Sequence, residues 1–284
     1  MQIKTVGVVG CGLMGAGIAQ VCAAAGYKTV VREVEDGILR RGLARIRTFL
    51  DDGVAKGKVT ADARDATLGN LAGTVAFDDL ADCDVIIEAI VEDLQEKRAT
   101  YAALERIAGP QALFLSNTSS LCITELASTT TRPDRFGGLH FFNPVPLMKL
   151  VEVIRALTTS DDTYQAMCTF AQSLGKKAIT APDRPGFIVN RLLVPYLLDA
   201  IRAYEHGLGT LEDIDTGMKL GCGYPMGPFT LLDFVGLDTT YYIANIMFED
   251  YREPAYAPPP LLKRMVLAGR LGRKSGRGFY TYQT

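Results

Sequence analysis

The chain of 284 residues is long enough for one large or two ordinary domains, and its apolar fraction of 48% is sufficient to build a hydrophobic core. A formal net charge of −2 gives no general basic field, so the composition does not support binding to nucleic acids or to an acidic membrane surface. The six cysteines form no C-x-x-C pair and there are only two histidines, which argues against a structural zinc site.

No secretion signal precedes the first apolar run, which begins at Thr5. We therefore expect a cytoplasmic protein whose cysteines stay reduced. The most apolar later stretch, residues 187–204, contains Asn190, Arg191 and Asp199. Because these polar side chains interrupt the apolar pattern, the stretch predicts an amphipathic helix and not a membrane span.

The N-terminal segment has the pattern of a strand, a glycine-rich turn and a helix. An apolar run over residues 5–9 is followed by a G-x-G-x-x-G motif and then by small residues at helical spacing over 14–25. The motif consists of Gly10, Cys11, Gly12, Leu13, Met14 and Gly15. Gly10 would permit the tight turn, Gly12 would let the backbone approach a pyrophosphate, and Gly15 would let the helix pack closely on the strand. The pattern predicts a dinucleotide site at the helix N-terminus.

An acidic residue follows the second predicted strand. This strand covers residues 28–31, and Glu33 lies about 20 residues beyond the glycines, where an acid holds the ribose hydroxyls of NAD. We therefore expect NAD as the cofactor. Arg32, beside Glu33, could instead meet the 2′-phosphate of NADP, which stays open as the alternative.

Alternating strand and helix patterns continue beyond Glu33. Strands are predicted at residues 74–77, 85–87, 112–115, 135–142, 150–154 and 178–180. Helices are predicted at residues 35–58, 60–68, 92–107 and 163–174. Such alternation predicts a mostly parallel sheet covered by helices, in which ligands bind outside the carboxyl ends of the strands. The segments 88–92 and 116–120 are therefore candidates for a functional site.

The pattern changes to helices alone after residue 186. Helices are predicted at residues 187–206, 211–220, 228–251 and 259–268. We therefore predict the α/β class, with a Rossmann-type NAD-binding domain over residues 1–184 and an all-α domain for substrate binding and dimerisation over residues 185–284. The tail at 272–280 is basic and rich in glycine, so Lys274 and the backbone could approach an anionic ligand. A flexible tail is the alternative.

A histidine and a carboxylate lie on neighbouring predicted strands. His140 begins the segment His-Phe-Phe-Asn-Pro at the end of one strand, and Glu152 lies on the next, after a loop short enough for an antiparallel return. Such pairing could bring the two side chains together. A carboxylate on one ring nitrogen fixes the tautomer and leaves the other nitrogen as a general base. This arrangement is suited to removing an alcohol proton during hydride transfer.

Six segments together closely resemble the L-3-hydroxyacyl-CoA dehydrogenase family. These segments are residues 10–15, 116–120, 140–144, 148–153, 185–191 and 271–276. A free-standing chain of this size is most similar to the bacterial members that act on 3-hydroxybutyryl-CoA, and less to the multifunctional proteins with a fused hydratase. The resemblance implies reversible, NAD-dependent oxidation of a short-chain (3S)-3-hydroxyacyl-CoA to the 3-oxoacyl-CoA.

The resemblance also implies roles for individual residues. His140 corresponds to the catalytic base and Glu152 to its partner, while Ser119 and Asn190 correspond to groups that hydrogen-bond the substrate oxygens. The positions that contact NAD correspond to Glu92, Lys97, Asn117, Ser119, Asn143 and Lys274. Lys56 corresponds to a basic position at the mouth of the CoA site. A homodimer through the helical domain is implied as well, with shared apolar side chains at Leu192, Leu193, Leu197 and Ile201.

The sequence departs from the family pattern at two positions, and two alternative functions stay open. Cys11 stands where Ala or Ser is commoner, and Glu33 replaces the more frequent Asp, which puts the cofactor preference in question. One rival is a dehydrogenase of a free hydroxy acid such as gulonate; Lys56 and Lys58 favour a CoA ester instead. The other is a non-catalytic nucleotide-binding protein of the same fold. Such a protein would be expected to lack one of the four residues assigned to catalysis, and all four are present.

Overall fold

The computed structural model describes residues 2–282. The chain folds as two units, and the boundary between them falls between Asp183 and Arg184. In the described residues, no helix is both long enough and apolar enough to cross a membrane. Nor do His, Cys, Asp and Glu side chains gather there in a group of three or more that could hold a metal ion.

The first unit is a single eight-stranded sheet with helices, which confirms the predicted Rossmann-type architecture. The strands are β1 Thr5–Val9, β2 Lys28–Arg32, β3 Leu71–Thr74, β4 Val85–Glu88, β5 Leu113–Ser116, β6 Phe136–Phe141, β7 Leu150–Arg155 and β8 Lys177–Pro182. They lie in the order β3-β2-β1-β4-β5-β6-β7-β8. All neighbours pair in parallel except β6 and β7, which are antiparallel.

Helices connect these strands and cover the sheet. They are α1 Leu13–Ala24, α2 Asp36–Ala55, α3 Ala61–Gly69, α4 Leu94–Ile107, α5 Ile123–Ala127 and α6 Asp161–Ser173. The central strands are buried along their length, and for this reason they read as continuous apolar runs. Buried side chains of β1, β4, β5, β6 and β7 belong to one cluster, which includes Val8, Ile87, Leu115, Leu139 and Val153.

Two elements of the first unit differ from the sequence prediction. The strand predicted at residues 74–77 is wrong in its bounds, because β3 covers Leu71–Thr74. The hydroxyl of Thr74 accepts a hydrogen bond from the Ala76 amide at 3.0 Å, and this local turn ends the strand. The helix α5 was not predicted. It has only five residues, too few for a helical period, and Asp183 accepts hydrogen bonds from two amides at its start.

The second unit contains helices around a core of its own. They are α7 Val189–Glu205, α8 Leu211–Cys222, α9 Pro228–Val235, α10 Leu237–Tyr251 and α11 Pro260–Leu267. The single helix predicted over residues 228–251 is wrong, since Gly236 divides it into α9 and α10. Gly236 has a φ of 103°. This value lies outside the helical range and favours glycine. A side chain there would also approach the Lys274 ammonium nitrogen, which lies 3.3 Å from the ideal Cβ position.

The apolar residues assigned to a dimer interface do not share one surface. Leu197 and Ile201 are 1% and 0% exposed and belong to the core of the second unit. The prediction that these two side chains lie in a dimer interface is therefore wrong. They face inward because α7 turns this side toward Phe229 and Leu262 of the same unit. Leu192, in contrast, is 73% exposed.

Two buried carboxylates hold the C-terminal tail. Asp233 of α9 is 1% exposed and accepts hydrogen bonds from the Phe279 and Tyr280 amides, both at 2.9 Å, and from the Tyr282 hydroxyl at 3.0 Å. Asp215 of α8 accepts from the Tyr280 hydroxyl at 3.1 Å. The described part of the tail is therefore an ordered part of this unit, and the flexible alternative does not apply to it.

We expect Asp233→Asn to destabilise the second unit. The amide nitrogen cannot accept a hydrogen bond, so at least one buried donor loses its partner, at a cost of about 1–3 kcal/mol. Urea unfolding would measure this loss, and the exposed Asp250→Asn provides the matched control. Equal free energies of unfolding in both variants would contradict the role assigned to Asp233.

Candidate active site

The glycine-rich turn leads from β1 into α1. Gly10 has a φ of 100°, and its amide donates to the Arg32 carbonyl of β2 at 2.8 Å. A side chain on Gly10 or Gly15 would overlap backbone atoms. Gly12 differs, because an ideal Cβ there meets no atom within 4 Å. The fold itself therefore requires Gly10 and Gly15, whereas the space at Gly12 is open to a ligand.

The start of α1 is suited to phosphate. No side chain caps this helix terminus, and its first turn contains no acidic residue. Backbone amides in the first turn of a helix have no partner within the helix, and the helix dipole favours an anion there. The open space at Gly12 and these amides together fit the pyrophosphate of a dinucleotide.

Glu33 lies beside this turn, at the end of β2. Its Oε2 accepts a hydrogen bond from the Cys11 amide at 2.8 Å, and its Oε1 accepts from the Val34 amide at 2.7 Å. Each oxygen keeps a second lone pair that could accept from a ribose hydroxyl. The Arg32 guanidinium lies over the Phe77 ring, 3.9 Å from its centroid, and its Nε donates to the Val75 carbonyl at 3.3 Å. Since Arg32 has these contacts, the geometry favours NAD over NADP.

Cys11 behaves as a small apolar residue. Its side chain is 1% exposed, and burial, with the nearby Glu33 carboxylate, raises the pKa of the thiol to about 11. A side chain on Gly42 of α2 would overlap Cys11, so the two residues pack directly. The thiol is therefore protonated near neutral pH and is a poor nucleophile there.

A buried ion-pair network lies next to the ends of β4 and β5. Glu88, fully buried at the end of β4, accepts from the Lys97 ammonium at 2.6 Å, from the Ser116 hydroxyl at 2.7 Å and from the Ile90 amide at 2.9 Å. Lys97 of α4 is 1% exposed and lies 3.1 Å from a Glu92 oxygen. Its ammonium thus lies between the carboxylates of Glu88 and Glu92.

Glu92 in turn holds the loop after β5. It accepts hydrogen bonds from the Thr118 hydroxyl, from the Ser119 amide at 3.0 Å and from the Ser120 hydroxyl at 3.2 Å. Burial opposes ionisation of Glu92. The Lys97 ammonium and these hydrogen bonds outweigh burial, so the pKa of Glu92 lies below its ordinary value. The network therefore fixes the backbone that carries Ser119.

The structure brings His140 and Glu152 together. The antiparallel register of β6 and β7 pairs these two residues, and His140 Nδ1 lies 2.6 Å from Glu152 Oε2. Glu152 is fully buried and His140 is 6% exposed, with the Phe142 ring 4.6 Å from the imidazole centroid. The carboxylate therefore holds Nδ1 of the imidazole, and the Phe142 ring packs beside it.

Asn117 joins the ends of two neighbouring strands. Its Oδ1 accepts a hydrogen bond from the Phe141 amide at 2.9 Å, which links the loop after β5 to the end of β6. The oxygen thus has a structural partner, while the amide nitrogen keeps its donors. This link places His140 beside the loop that carries Ser119.

The remaining predicted site residues lie in different places. Ser119 is half-buried, and Asn143 and Lys56 are exposed. Asn190 and Lys274 belong to the second unit. Asn190 is the second residue of α7. The ammonium of Lys274 lies 2.7 Å from the Asp238 carboxylate.

Sequence reasoning missed part of the network. The carboxylate of Glu88, the hydroxyl of Ser116 and the hydroxyl of Thr118 were not singled out, although their segments were. One signal was available for Glu88, because a carboxylate that ends an otherwise apolar strand must find a partner. Its partner Lys97 is nine residues away, and the contact depends on how α4 packs.

Known proteins are similar to this chain over nearly its whole length. The family model described as 3-hydroxyacyl-CoA dehydrogenase, NAD binding domain, matches residues 5–184, and the model of the C-terminal domain matches 186–282. The 3-hydroxybutyryl-CoA dehydrogenase of Mycobacterium tuberculosis is 50% identical over 282 residues, 99% of each chain. Two crystal structures match over 100% of both chains. They are M. tuberculosis FadB2, with a TM-score of 0.98 and 49% identity, and the (S)-3-hydroxybutyryl-CoA dehydrogenase PaaH1 of Ralstonia eutropha, with 0.95 and 43%.

We expect Gly12→Ala to weaken dinucleotide binding without unfolding the protein. The extended backbone of Gly12 suits alanine and the new methyl group meets no protein atom, so the free energy of unfolding should change by less than about 0.5 kcal/mol. Fluorescence titration with NADH and thermal unfolding test the two parts. Gly15→Ala is the contrasting variant, since it should destabilise the fold. Unchanged NADH affinity in Gly12→Ala would count against the pyrophosphate site.

The stabilising effect of Glu92 should depend on pH. A carboxylate whose pKa is lowered in the folded state stabilises that state above its unfolded pKa of about 4.3, and this contribution is lost as pH falls through the folded pKa. The difference in free energy of unfolding between the wild type and Glu92→Gln should therefore be largest above about pH 5 and shrink below. Urea unfolding at several pH values measures it, with the exposed Glu96→Gln as control. A difference that stays constant with pH would contradict this account.

Proposed function

This chain belongs to the 3-hydroxyacyl-CoA dehydrogenase family, and we propose that it catalyses the reversible oxidation of a (3S)-3-hydroxyacyl-CoA to the 3-oxoacyl-CoA. The N-terminal domain of the family binds NAD, which is the cofactor of this enzyme. The single observation that carries the proposal is the His140–Glu152 pair, which lies at the sheet edge that also carries the glycine-rich turn.

We propose 3-hydroxybutyryl-CoA and acetoacetyl-CoA as the substrate pair. The support is the name of the M. tuberculosis relative, which is a 3-hydroxybutyryl-CoA dehydrogenase and matches nearly the full chain. The exposed Lys56 at the end of α2 supports a CoA ester, since an ammonium group there could meet the nucleotide phosphates as a point charge.

In this proposal His140 moves the proton and Glu152 holds His140. Glu152 accepts from Nδ1 and thereby fixes the tautomer in which Nε2 takes the proton of the 3-hydroxyl group. The buried carboxylate then stabilises the imidazolium, which returns the proton in the reverse reaction. NAD, when bound, would supply the hydride acceptor, and the alcohol would become a ketone by loss of one hydroxyl proton and of one hydride from C3. The proton goes to His140 and the hydride to the cofactor, so atoms and electrons balance.

Hydrogen-bond donors orient the substrate. Ser119 presents a half-buried hydroxyl on the loop that Glu92 fixes, and a donor held in this way can bind a substrate oxygen without reorganisation. We assign the same task to the side-chain amide of Asn190 on the resemblance alone. Asn117, Asn143, Lys274, Glu92 and Lys97 are proposed to support NAD binding, the last through its ion pair with Glu92.

The activity itself is tested by the loss of NADH absorbance with acetoacetyl-CoA. NADPH and free acetoacetate are the controls. Rapid NADH oxidation with the CoA ester alone would support the proposed reaction. Turnover of the free acid instead would favour a dehydrogenase of free hydroxy acids, and NADH binding without turnover of any substrate would favour a non-catalytic protein.

We expect His140→Ala and Glu152→Ala to lose most turnover while NADH binding persists. General acid–base catalysis contributes about 10²–10⁴-fold to the rate, so the turnover rate of both variants should fall by a factor in this range. Steady-state rates and NADH fluorescence titration measure the two effects. His206→Ala, at the exposed histidine that follows α7, is the control and should be fully active. Full turnover in His140→Ala and Glu152→Ala would refute the dyad.

We also propose that the protein is a homodimer through its second unit. The exposed Leu192 of α7 supports this, because a large apolar side chain that is 73% exposed is suited to a contact with another chain. Light scattering should give twice the chain mass of 30.8 kDa. A mass of one chain would contradict the dimer.

A further inference from the structure

We propose that Lys176 is a positioning residue for NAD binding, because its ammonium group fixes the loop that carries Asn143. This loop covers residues 142–149 and connects β6 to β7. The inference rests on the proposed function, in which Asn143 contacts the cofactor. It assigns a task to a buried lysine that neither the dyad nor the ion-pair network uses.

Lys176 holds the loop from one side. The residue immediately precedes β8 and is 8% exposed. Its ammonium donates to the carbonyl oxygens of Val145 at 2.6 Å and of Met148 at 2.8 Å. The amides of Leu147 and Met148 both donate to the Pro144 carbonyl at 3.0 Å. The ammonium therefore binds two carbonyls of a turn that two backbone hydrogen bonds to Pro144 also close.

The helix α1 holds the loop from the other side. Val145 is 2% exposed and packs on Gly17, where an ideal Cβ would lie only 2.9 Å from the Val145 Cβ. Cys22, one and a half turns further along α1, is fully buried, and the charge of Lys176 acts on its thiol. The loop thus lies between Lys176 and the helix that begins at the glycine-rich turn.

In the described part of the chain, no carboxylate pairs with the Lys176 ammonium. Within residues 2–282, none of the ion pairs involves Lys176. Burial lowers the pKa of its ammonium, as expected for a cation without a counter-charge. Hydrogen bonds from a charged donor to carbonyls are stronger than those between neutral groups, so the ammonium is an effective clamp.

The position of Asn143 depends on the two Lys176 hydrogen bonds more than the position of His140 does. The end of β6 is fixed independently, by the Asn117–Phe141 hydrogen bond and by the pairing of His140 with Glu152. Asn143 is exposed, and in the described chain none of the side-chain hydrogen bonds involves it. Its orientation is therefore set by the loop backbone. Loss of the Lys176 ammonium should move Asn143 and leave the dyad in place.

Lys176→Met tests this inference, with the exposed Lys177→Met as the matched control. The methionine fills the space but donates no hydrogen bond. Fluorescence titration should show the Kd for NADH raised about tenfold, the effect of losing a charged hydrogen-bond donor. The control should bind NADH as the wild type does. Wild-type affinity in Lys176→Met would overturn the proposal.

A double-mutant cycle with Asn143→Ala separates positioning from general damage. If Lys176 acts through Asn143, adding Lys176→Met to Asn143→Ala should raise the Kd no further. The pH profile of kcat should also stay unchanged in Lys176→Met, because the dyad is not touched. Additive effects on the Kd, or a shifted pH profile, would overturn the positioning role.

Hydrogen exchange of the cofactor-free protein gives a readout that does not depend on turnover. The amides of Leu147 and Met148 should exchange faster in Lys176→Met, while those of β6 should not change. Should Lys176→Met fail to fold, Lys176→Gln replaces it in every measurement with the same expected direction. Wild-type protein that binds NADH but does not turn over acetoacetyl-CoA would refute the proposed function alone, since the effect on NADH binding would still decide the role of Lys176.

Discussion

Parallel pairing of β1 with both β2 and β4 is the constraint on which the site depends. Because these strands run in the same direction, their carboxyl ends meet at one edge of the sheet. The strand order continues from β1 toward β3 on one side and toward β8 on the other, so the crevice of a doubly wound sheet opens at β1. The glycine-rich turn follows β1, Glu33 follows β2, and Glu88 is the last residue of β4. The antiparallel return of β7 then adds Glu152 to the same sheet, opposite His140.

Buried charge at this edge of the sheet holds the backbone of loops in place. Glu88, Lys97 and Glu92 form a continuous network in which each charge faces an opposite one. Removing both charges of such a pair is often neutral for stability, whereas removing one is costly. We therefore interpret the role of the Glu88–Lys97–Glu92 network as fixing the backbone of the neighbouring loop. In this network the fixed element is the loop of Ser119, and at Lys176 it is the loop of Asn143.

The sequence predicted what depends on local pattern. The glycine motif, the alternation of strands and helices and the short β6–β7 connection were sufficient for the fold class, and the family and its cofactor NAD were confirmed by comparison. The short connection between β6 and β7 made an antiparallel return possible, and the structure shows that its register pairs His140 with Glu152. Their catalytic role stays a prediction.

What depends on tertiary contacts was not predicted. Gly236 divides α9 from α10 through a positive φ, which no apolar period reveals. The burial of Lys97 depends on the packing of α4 on the end of β4, and a sequence shows only a lysine in an amphipathic helix. In the same way, Leu197 and Ile201 have the spacing of an apolar face whether that face meets the core or another chain.

The three glycines of the turn are under different constraints, and this has an evolutionary consequence. Gly10 and Gly15 are required by the protein's own backbone, whereas Gly12 borders only open space. A descendant that lost its cofactor but kept its fold would retain selection at the first two positions and lose it at the third. Larger residues at position 12, beside invariant glycines at 10 and 15, would therefore mark inactive branches of this family before any assay is performed.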